Sequence, residues 1–140
     1  MDYLILKFIS GIDYINTKME SKMRILIVDD AECMLKAFRD ILEAHGYNVH
    51  EAINGEDAIT KYAETKPDIV LMDILMPKLD GISATKKILE EHPSAKIIVI
   101  SAVGKSGLEK ESLKAGAKKF IKKPFKIKDL IASINSLVKD

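Results

Sequence analysis

Residues 69–81 read IVLMDILMPKLDG, and this segment determines the predicted architecture. It opens with four consecutive apolar residues, Ile69 to Met72, and Asp73 follows them directly. A short apolar run without alternation is typical of a strand that helices cover on both faces, as in a parallel sheet. The segment therefore predicts a central buried strand that ends in a carboxylate.

The same pattern recurs on both sides of this segment. The predicted strands are 24–28, 47–52, 69–72, 96–100 and 118–122. Apolar residues at helical spacing between and after them predict helices at 31–45, 55–66, 81–91, 104–115 and 127–138. Five strands that alternate with five helices predict an α/β fold, a doubly wound (βα)5 sandwich of three layers around a parallel five-stranded sheet.

Length and composition agree with a single globular domain. The chain has 140 residues and a formal net charge of +1, so no overall charge points to nucleic acid. No apolar run approaches the ~20 residues of a membrane span, and we expect no membrane-spanning segment. Cys33 is the single cysteine, which excludes an internal disulfide and favours a cytoplasmic protein. Its place in an apolar helical pattern predicts a small core residue.

Residues 1–22 stand apart from residues 23–140, which form the predicted domain. Six apolar residues of this extension follow helical spacing: Leu4, Ile5, Phe8, Ile9, Ile12 and Ile15. The extension is interpreted either as an amphipathic helix or as a start assigned too early, since Met19 and Met23 also precede the first strand.

Polar residues stand at the carboxyl ends of four predicted strands. Asp29 and Asp30 follow the first, Asp73 the third, Ser101 the fourth and Lys123 the fifth. In a doubly wound sheet the ligand site lies outside these ends, so the fold gathers the five side chains at one edge. Each alone is common as a cap or turn residue, but their joint placement predicts a site.

The chemistry of that site follows from its residue types. Three carboxylates held together repel one another unless a cation is present. Oxygen ligands at a small site suit Mg²⁺, which prefers phosphate partners, and a carboxylate beside it can attack phosphorus. Ser101 and Lys123 can then hydrogen-bond and neutralise the phosphoryl oxygens.

These motifs resemble the response-regulator receiver family, and CheY-type stand-alone chemotaxis regulators in particular. The similarity covers residues 23–140, which implies a flavodoxin-like, CheY-like fold. The matching segments are 27–30 (IVDD), 73–81 (DILMPKLDG), 101–102 (SA) and 123–125 (KPF).

The resemblance implies a role for each site residue. Asp73 is the phosphoacceptor. Asp30, Asp73 and the backbone carbonyl of Leu75 ligate Mg²⁺ directly, and Asp29 acts largely through a bound water. Ser101 and Phe120 form the conformational switch, where the family often has Tyr instead of Phe. Leu75 and Val103 flank the approach of the water that hydrolyses the aspartyl phosphate.

The resemblance also implies partners. A CheA-like sensor histidine kinase phosphorylates the protein, and a phosphatase is a possible further partner. The output face corresponds to 104–138, which overlaps a basic stretch at 101–128 with nine Lys against Glu109 and Glu111. We expect this face to bind a motor switch or adaptor protein and the chain to be a monomer that binds no nucleic acid.

The chain is expected to be a signalling switch that catalyses only its own phosphorylation and dephosphorylation. The alternative within the family is a phosphorelay intermediate that passes its phosphoryl group to a histidine phosphotransferase. Other classes fit less well. Asp29 and Asp30 would repel phosphate in a flavin carrier, and the chain contains neither G-x-G-x-x-G nor G-x-x-x-x-G-K-[ST]. An aspartyl phosphatase would need a second carboxylate where Leu75 stands.

Overall fold

The computed structural model describes residues 22–76, 78–102 and 107–138. Its five parallel strands form one sheet in the order β2-β1-β3-β4-β5. The strands are β1 (Arg24–Val28), β2 (Asn48–Ala52), β3 (Ile69–Asp73), β4 (Ile97–Ser101) and β5 (Lys119–Lys122). The helices are α1 (Glu32–Ala44), α2 (Gly55–Thr65), α3 (Gly81–Glu91), α4 (Leu108–Lys114) and α5 (Ile127–Val138). The predicted (βα)5 architecture is confirmed.

Helices cover both faces of the sheet because successive strand residues point to opposite sides. In β1, Leu26 and Val28 belong to one buried apolar cluster and Ile25 and Ile27 to the other. The first, called here the α2/α3 cluster, includes from those helices Ala58, Tyr62, Ala84 and Ile88. The second, the α1/α5 cluster, includes from those helices Leu35, Phe38, Leu42, Leu130, Ile134 and Leu137. Two cores on either side of one sheet make the three layers.

The predicted bounds of β1, α3 and α5 agree with the structure, and most other ends differ by one residue. The fourth helix was predicted to begin at residue 104, but α4 begins at Leu108 and residues 103–106 lie outside the described ranges. The predicted extension also lies outside them, except for Lys22. Among the helices that the structure describes, none has the length and apolar character required to cross a membrane.

The prediction for Cys33 was wrong, because its side chain is exposed. Helix α1 directs Leu35, Phe38 and Leu42 into the α1/α5 cluster. At about 100° per residue, Cys33 lies on the opposite side of the helix from Leu35. The prediction failed because the apolar character of Cys33 does not show on which side of the helix its side chain lies.

Candidate functional site

The site lies where the strand order reverses. From β1 the chain goes outward to β2 at the edge and then returns to β3 on the other side of β1. Helices leave opposite faces on either side of this point, which opens a crevice at the carboxyl ends of the strands. Asp29 directly follows β1 and Asp73 is the last residue of β3, so both carboxylates stand at this crevice.

Three carboxylates meet there. Asp29, Asp30 and Asp73 each offer one oxygen, and these oxygens all lie within 4.8 Å of one another. Asp29 is buried with 3 % of its surface exposed, Asp73 is half-buried and Asp30 is exposed. The three side chains thus range from buried to exposed, and their oxygen-only donor set suits a hard divalent cation.

Lys123 and Ser101 complete the group. The Lys123 Nζ lies 3.8 Å from Oδ2 of Asp29, with 20 % of the lysine side chain exposed. The backbone N–H of Lys123 donates to the carbonyl oxygen of Ser101 at 2.8 Å, which joins the ends of β4 and β5. Ser101 is the last residue of β4 and is buried. All five side chains that the sequence placed at this edge lie there.

The electrostatics of the cluster act mainly on Asp73. Burial, followed by repulsion from Asp29, raises the pKa of Asp73 from 3.8 to about 6. The ammonium of Lys123 opposes this rise, and Asp30 adds a smaller repulsion. Asp73 is therefore mostly ionised at pH 7, but its charge is destabilised by its surroundings.

The loop after Asp73 is closed by a contact that only glycine allows. A Cβ at Gly81 would overlap the carbonyl oxygen of Asp73, and the N–H of Gly81 donates to the Ile74 carbonyl at 2.9 Å. Asp80 caps α3 by accepting from the N–H groups of Ile82 and Ser83, both at 2.9 Å. The start of α3 therefore packs directly against the backbone of Asp73.

The remaining predicted site residues occupy different surroundings. Leu75 is 62 % exposed beside the carboxylates. Phe120 lies in β5, partly buried against the α2/α3 cluster. Val103 lies outside the described residues.

Two aromatic residues near the site were not singled out from the sequence. The rings of Phe38 and Phe125 stack with centroids 6.1 Å apart. Phe38 also lines a small cavity together with Asp29, Asp73 and Lys123. The sequence contained a partial signal, because Phe125 follows the Lys123–Pro124 pair and Phe38 lies on the apolar stripe of α1. Their contact joins elements far apart in sequence, and the pattern of each element alone could not reveal it.

This geometry can be compared with that of known proteins. Residues 25–135 match the protein family described as the response regulator receiver domain. The chain belongs to the response regulator receiver family. Receiver domains bind Mg²⁺ at an acidic site, and the cluster of Asp29, Asp30 and Asp73 is such a group of carboxylates.

The relatives of this receiver include chemotaxis proteins. It is 50 % identical over 117 residues to the chemotaxis protein CheY of Thermotoga maritima, covering 83 % of this chain and 98 % of that protein. It is 47 % identical over 113 residues to CheY of Bacillus subtilis, covering 80 % and 94 % respectively. The receiver thus spans nearly the full length of these two CheY proteins.

Solved structures of CheY and of a CheY-like receiver are also similar to this chain. A CheX–CheY–BeF3–Mg²⁺ complex from Borrelia burgdorferi contains a chain that matches with a TM-score of 0.77 and 39 % identity, covering 82 % of this chain and 88 % of that one. A CheY-like receiver domain protein from Methanospirillum hungatei matches with a TM-score of 0.81 and 31 % identity, covering 85 % and 95 %. The predicted CheY-like fold is confirmed.

Proposed function

We propose that this receiver is a stand-alone chemotaxis regulator that accepts a phosphoryl group on Asp73. The observation that carries the proposal is the cluster of three carboxylates within 4.8 Å, with an ammonium 3.8 Å from one of them. A purely structural role would not require three repelling carboxylates at one sheet edge. The extensive identity with CheY proteins supports the same function.

The reaction is a phosphoryl transfer from a histidine of a CheA-like sensor kinase. An oxygen of the Asp73 carboxylate forms a bond to phosphorus, and the bond from phosphorus to the donor nitrogen breaks. The histidine nitrogen leaves with the electron pair and receives a proton, so the product is an aspartyl phosphate. Catalysis of such a transfer is mainly positioning and charge stabilisation. Lys123 and the Ser101 hydroxyl supply these at the phosphoryl oxygens.

The residues at the site fit Mg²⁺. Asp30 and Asp73 would hold it directly with the carbonyl of Leu75, and Asp29 would contribute largely through a water. When bound, Mg²⁺ neutralises the carboxylates and the phosphoryl oxygens. The protein itself holds Asp73 at the end of a rigid central strand, half-buried beside the buried Asp29.

Phosphorylation would change the output face. Ser101 would move toward the phosphoryl group and Phe120 would turn inward, which would reshape the face predicted at 104–138. In the described part of this face the exposed lysines include Lys110, Lys114, Lys118, Lys122, Lys126 and Lys128. They favour an acidic segment of a motor switch or adaptor protein. The CheX–CheY complex from Borrelia burgdorferi supports a CheX-like protein as a further partner, and a phosphatase is also part of the proposal.

The organisation of the chain is part of the proposal. Residues 23–140 form the receiver, and residues 1–22 are an extension outside it. The protein acts in the cytoplasm as a monomer and signals by binding, and its only catalysis concerns its own phosphoryl group.

The acceptor is tested with a small phosphodonor. Acetyl phosphate and Mg²⁺ should give acid-stable, base-labile labelling of the wild type and none of Asp73→Asn, because the amide cannot attack phosphorus. Asp40→Asn is the matched control, since it removes an exposed carboxylate that pairs with Lys36 on α1. Labelling of Asp73→Asn at the wild-type level would reject Asp73 as the acceptor, and labelling unaffected by EDTA would reject the metal requirement.

The output is tested by binding. Beryllofluoride-activated protein should bind its motor or adaptor partner more tightly than the untreated protein, with an on-rate that falls as salt is raised. Equal affinity in both states would contradict a switch. Activated protein that instead binds a histidine phosphotransferase would favour the phosphorelay alternative.

A further inference from the structure

One contact links helix α1 to the loop that carries Lys123. The Phe38 and Phe125 rings stack at a centroid distance of 6.1 Å with 18° between their planes. Phe38 lies on α1 and is only 5 % exposed. Phe125 is half-buried and comes two residues after Lys123, in the short connection between β5 and α5. The stack therefore fixes this connection against a buried residue of α1.

The other side of Phe38 faces the site. A small cavity beneath the carboxylates is lined by Phe38 together with Asp29, Asp73 and Lys123, and otherwise by apolar core residues. Phe38 thus touches the same space as the three charged groups. A change in its ring position would be transmitted both to the connection after β5 and to the floor of the acidic site.

The position of Lys123 depends on this connection. Its side chain is long and flexible, and its Nζ lies 3.8 Å from Oδ2 of Asp29, which is an ion pair without a short hydrogen bond. The backbone of Lys123 is held on one side by its hydrogen bond to Ser101. On the other side, two residues along the chain, the Phe125 ring is held by its stack with Phe38. The orientation of the ammonium therefore rests on the hydrogen bond and the aromatic stack together.

We propose that Phe38 and Phe125 are positioning residues that hold the Lys123 ammonium against Asp29 and toward Asp73. They act through Lys123, because an aromatic ring carries no charge or proton donor for the transfer. The expected effect on phosphorylation rests on the proposed function. The expected weakening of the Lys123–Asp29 ion pair does not rest on the proposed function, because it follows from the geometry alone.

The first test measures phosphorylation. Phe125→Leu keeps an apolar side chain but removes the ring, and its maximal rate with acetyl phosphate should fall about tenfold. Its Mg²⁺ affinity should stay within about twofold of wild type, because the carboxylates are unchanged. Phe125→Tyr, which keeps the ring, should restore the rate. Ile134→Val is the control, since it loosens the same α1/α5 cluster from within α5 and leaves the Phe38–Phe125 stack unaltered in sequence.

The second test needs no phosphorylation. Asp29→Asn and Lys123→Met, separately and together, give the coupling between the two charges from urea unfolding. This double-mutant cycle should show that the two charges together change the unfolding equilibrium constant by about threefold or more beyond the product of the separate effects. The interaction should be lost when the cycle is repeated in the Phe125→Leu variant. A wild-type cycle without coupling would overturn the proposal, as would a coupling that persists in Phe125→Leu.

The two tests separate the possible failures. If the wild type is not phosphorylated, the proposed function fails, and the unfolding cycle still decides the positioning role. If the wild type is phosphorylated and Phe125→Leu reacts at the same maximal rate, the positioning role is overturned. A Phe125→Leu rate that falls no further than that of Ile134→Val would overturn it too, because general loosening would then explain the loss.

Discussion

Asp73 shows how one residue can be made reactive at a cost to the folded state. It stands at the end of a buried strand with Asp29 nearby, and burial and this repulsion raise its pKa to about 6. A carboxylate that is poorly solvated is disposed to bind a cation and to react. The same feature makes the ionised form of Asp73 unfavourable in the folded protein. The effect on stability can be measured directly.

Replacing this carboxylate should stabilise the protein. The pKa of Asp73 is raised on folding, from 3.8 to about 6, so its contribution to stability is largest below pH 3.8 and is lost as the pH rises through 6. Asp73→Asn does not titrate and should therefore be more stable than wild type at pH 7.5. After discounting for the solvent screening of a half-buried group, we expect a gain of about 1 to 2 kcal/mol.

Urea unfolding in EDTA at pH 4.5 and pH 7.5 measures this gain. The stability difference between Asp73→Asn and wild type should be about a third of its full value at the lower pH and nearly full at the higher one. Asp40→Asn should show no comparable gain at pH 7.5. Millimolar Mg²⁺ should reduce the stability difference between the two proteins, because it stabilises the wild type by binding. Equal stability of both proteins at pH 7.5 would refute the raised pKa of Asp73.

Leu75 concerns the lifetime of the phosphorylated state. It is exposed beside the carboxylates, and an apolar side chain cannot orient the water that would attack an aspartyl phosphate. We predict slow intrinsic dephosphorylation, accelerated roughly tenfold by Leu75→Asn together with Val103→Glu, since polar groups can orient that water.

Decay of the labelled protein after removal of the donor measures this lifetime. Ile53→Asn is the control, because it places the same polar group at another exposed apolar position, 57 % exposed in the wild type. A wild type that decays at least as fast as the double variant would show that these positions do not control water access.

At the scale of elements, the site depends on how the connections after the strands are closed. Helix α1 begins without a side-chain cap at Ala31, and the N–H of Ala31 instead donates to Oδ1 of Asp29 at 2.9 Å. Helix α3 begins at Gly81 against the backbone of Asp73. Each helix start is thus tied to one of the carboxylates, so helix position and site geometry are coupled.

This coupling makes Gly81 indispensable. Gly81→Ala improves helix propensity, but its Cβ would overlap the Asp73 carbonyl oxygen, which is backbone and cannot rotate away. We expect a loss of about 1 to 3 kcal/mol in unfolding free energy together with reduced phosphorylation of Asp73.

Gly46→Ala is the matched control. Gly46 has a φ of +89°, and no atom lies within 4 Å of an added Cβ. The Gly46→Ala variant therefore introduces backbone strain without a steric clash, and it should leave phosphorylation unchanged. The unfolding free energy and the phosphorylation of both variants are measured and compared with those of the wild type. A Gly81→Ala protein as stable and as active as wild type would show that the loop adapts.

At the scale of the whole molecule, the described residues pack around two apolar cores, the α2/α3 cluster and the α1/α5 cluster. Met23 belongs to the receiver, because its carbonyl accepts from the N–H of Asn48 at 2.8 Å. Arg24 then begins β1, and its backbone N–H donates to Oδ2 of Asp68 at 2.8 Å. These contacts attach residues 23 and 24 to the receiver.

We predict that a chain that starts at Met23 folds and reacts like the 140-residue chain. We expect its unfolding free energy to stay within about 0.5 kcal/mol of the value for the 140-residue chain and its Mg²⁺-dependent labelling to be unchanged. A chain that starts at Ile27 is the control and should not fold, because it lacks the fully buried Ile25 and Leu26. A marked loss in the chain from Met23 would assign residues 1–22 to the receiver.

The order of the elements and the edge that carries the site were determined by the sequence alone. Unbroken apolar runs such as Ile69–Met72 are local signals of buried strands. Because parallel strands all end at one edge, the positions of Asp29, Asp73 and Lys123 after their strands were enough to bring them together. Periodicity along the chain fixes which end of a strand a residue occupies, and this required no knowledge of packing.

Only the tertiary structure decided how side chains from different elements meet. It placed Cys33 on the solvent side of α1, pressed Gly81 against Asp73 and stacked Phe38 on Phe125. The pKa of Asp73 likewise depends on burial and on charges contributed by other strands. Such contacts depend on the rotation of each helix and on distances across the sheet. Close packing of the whole chain sets these quantities, and no local pattern encodes them.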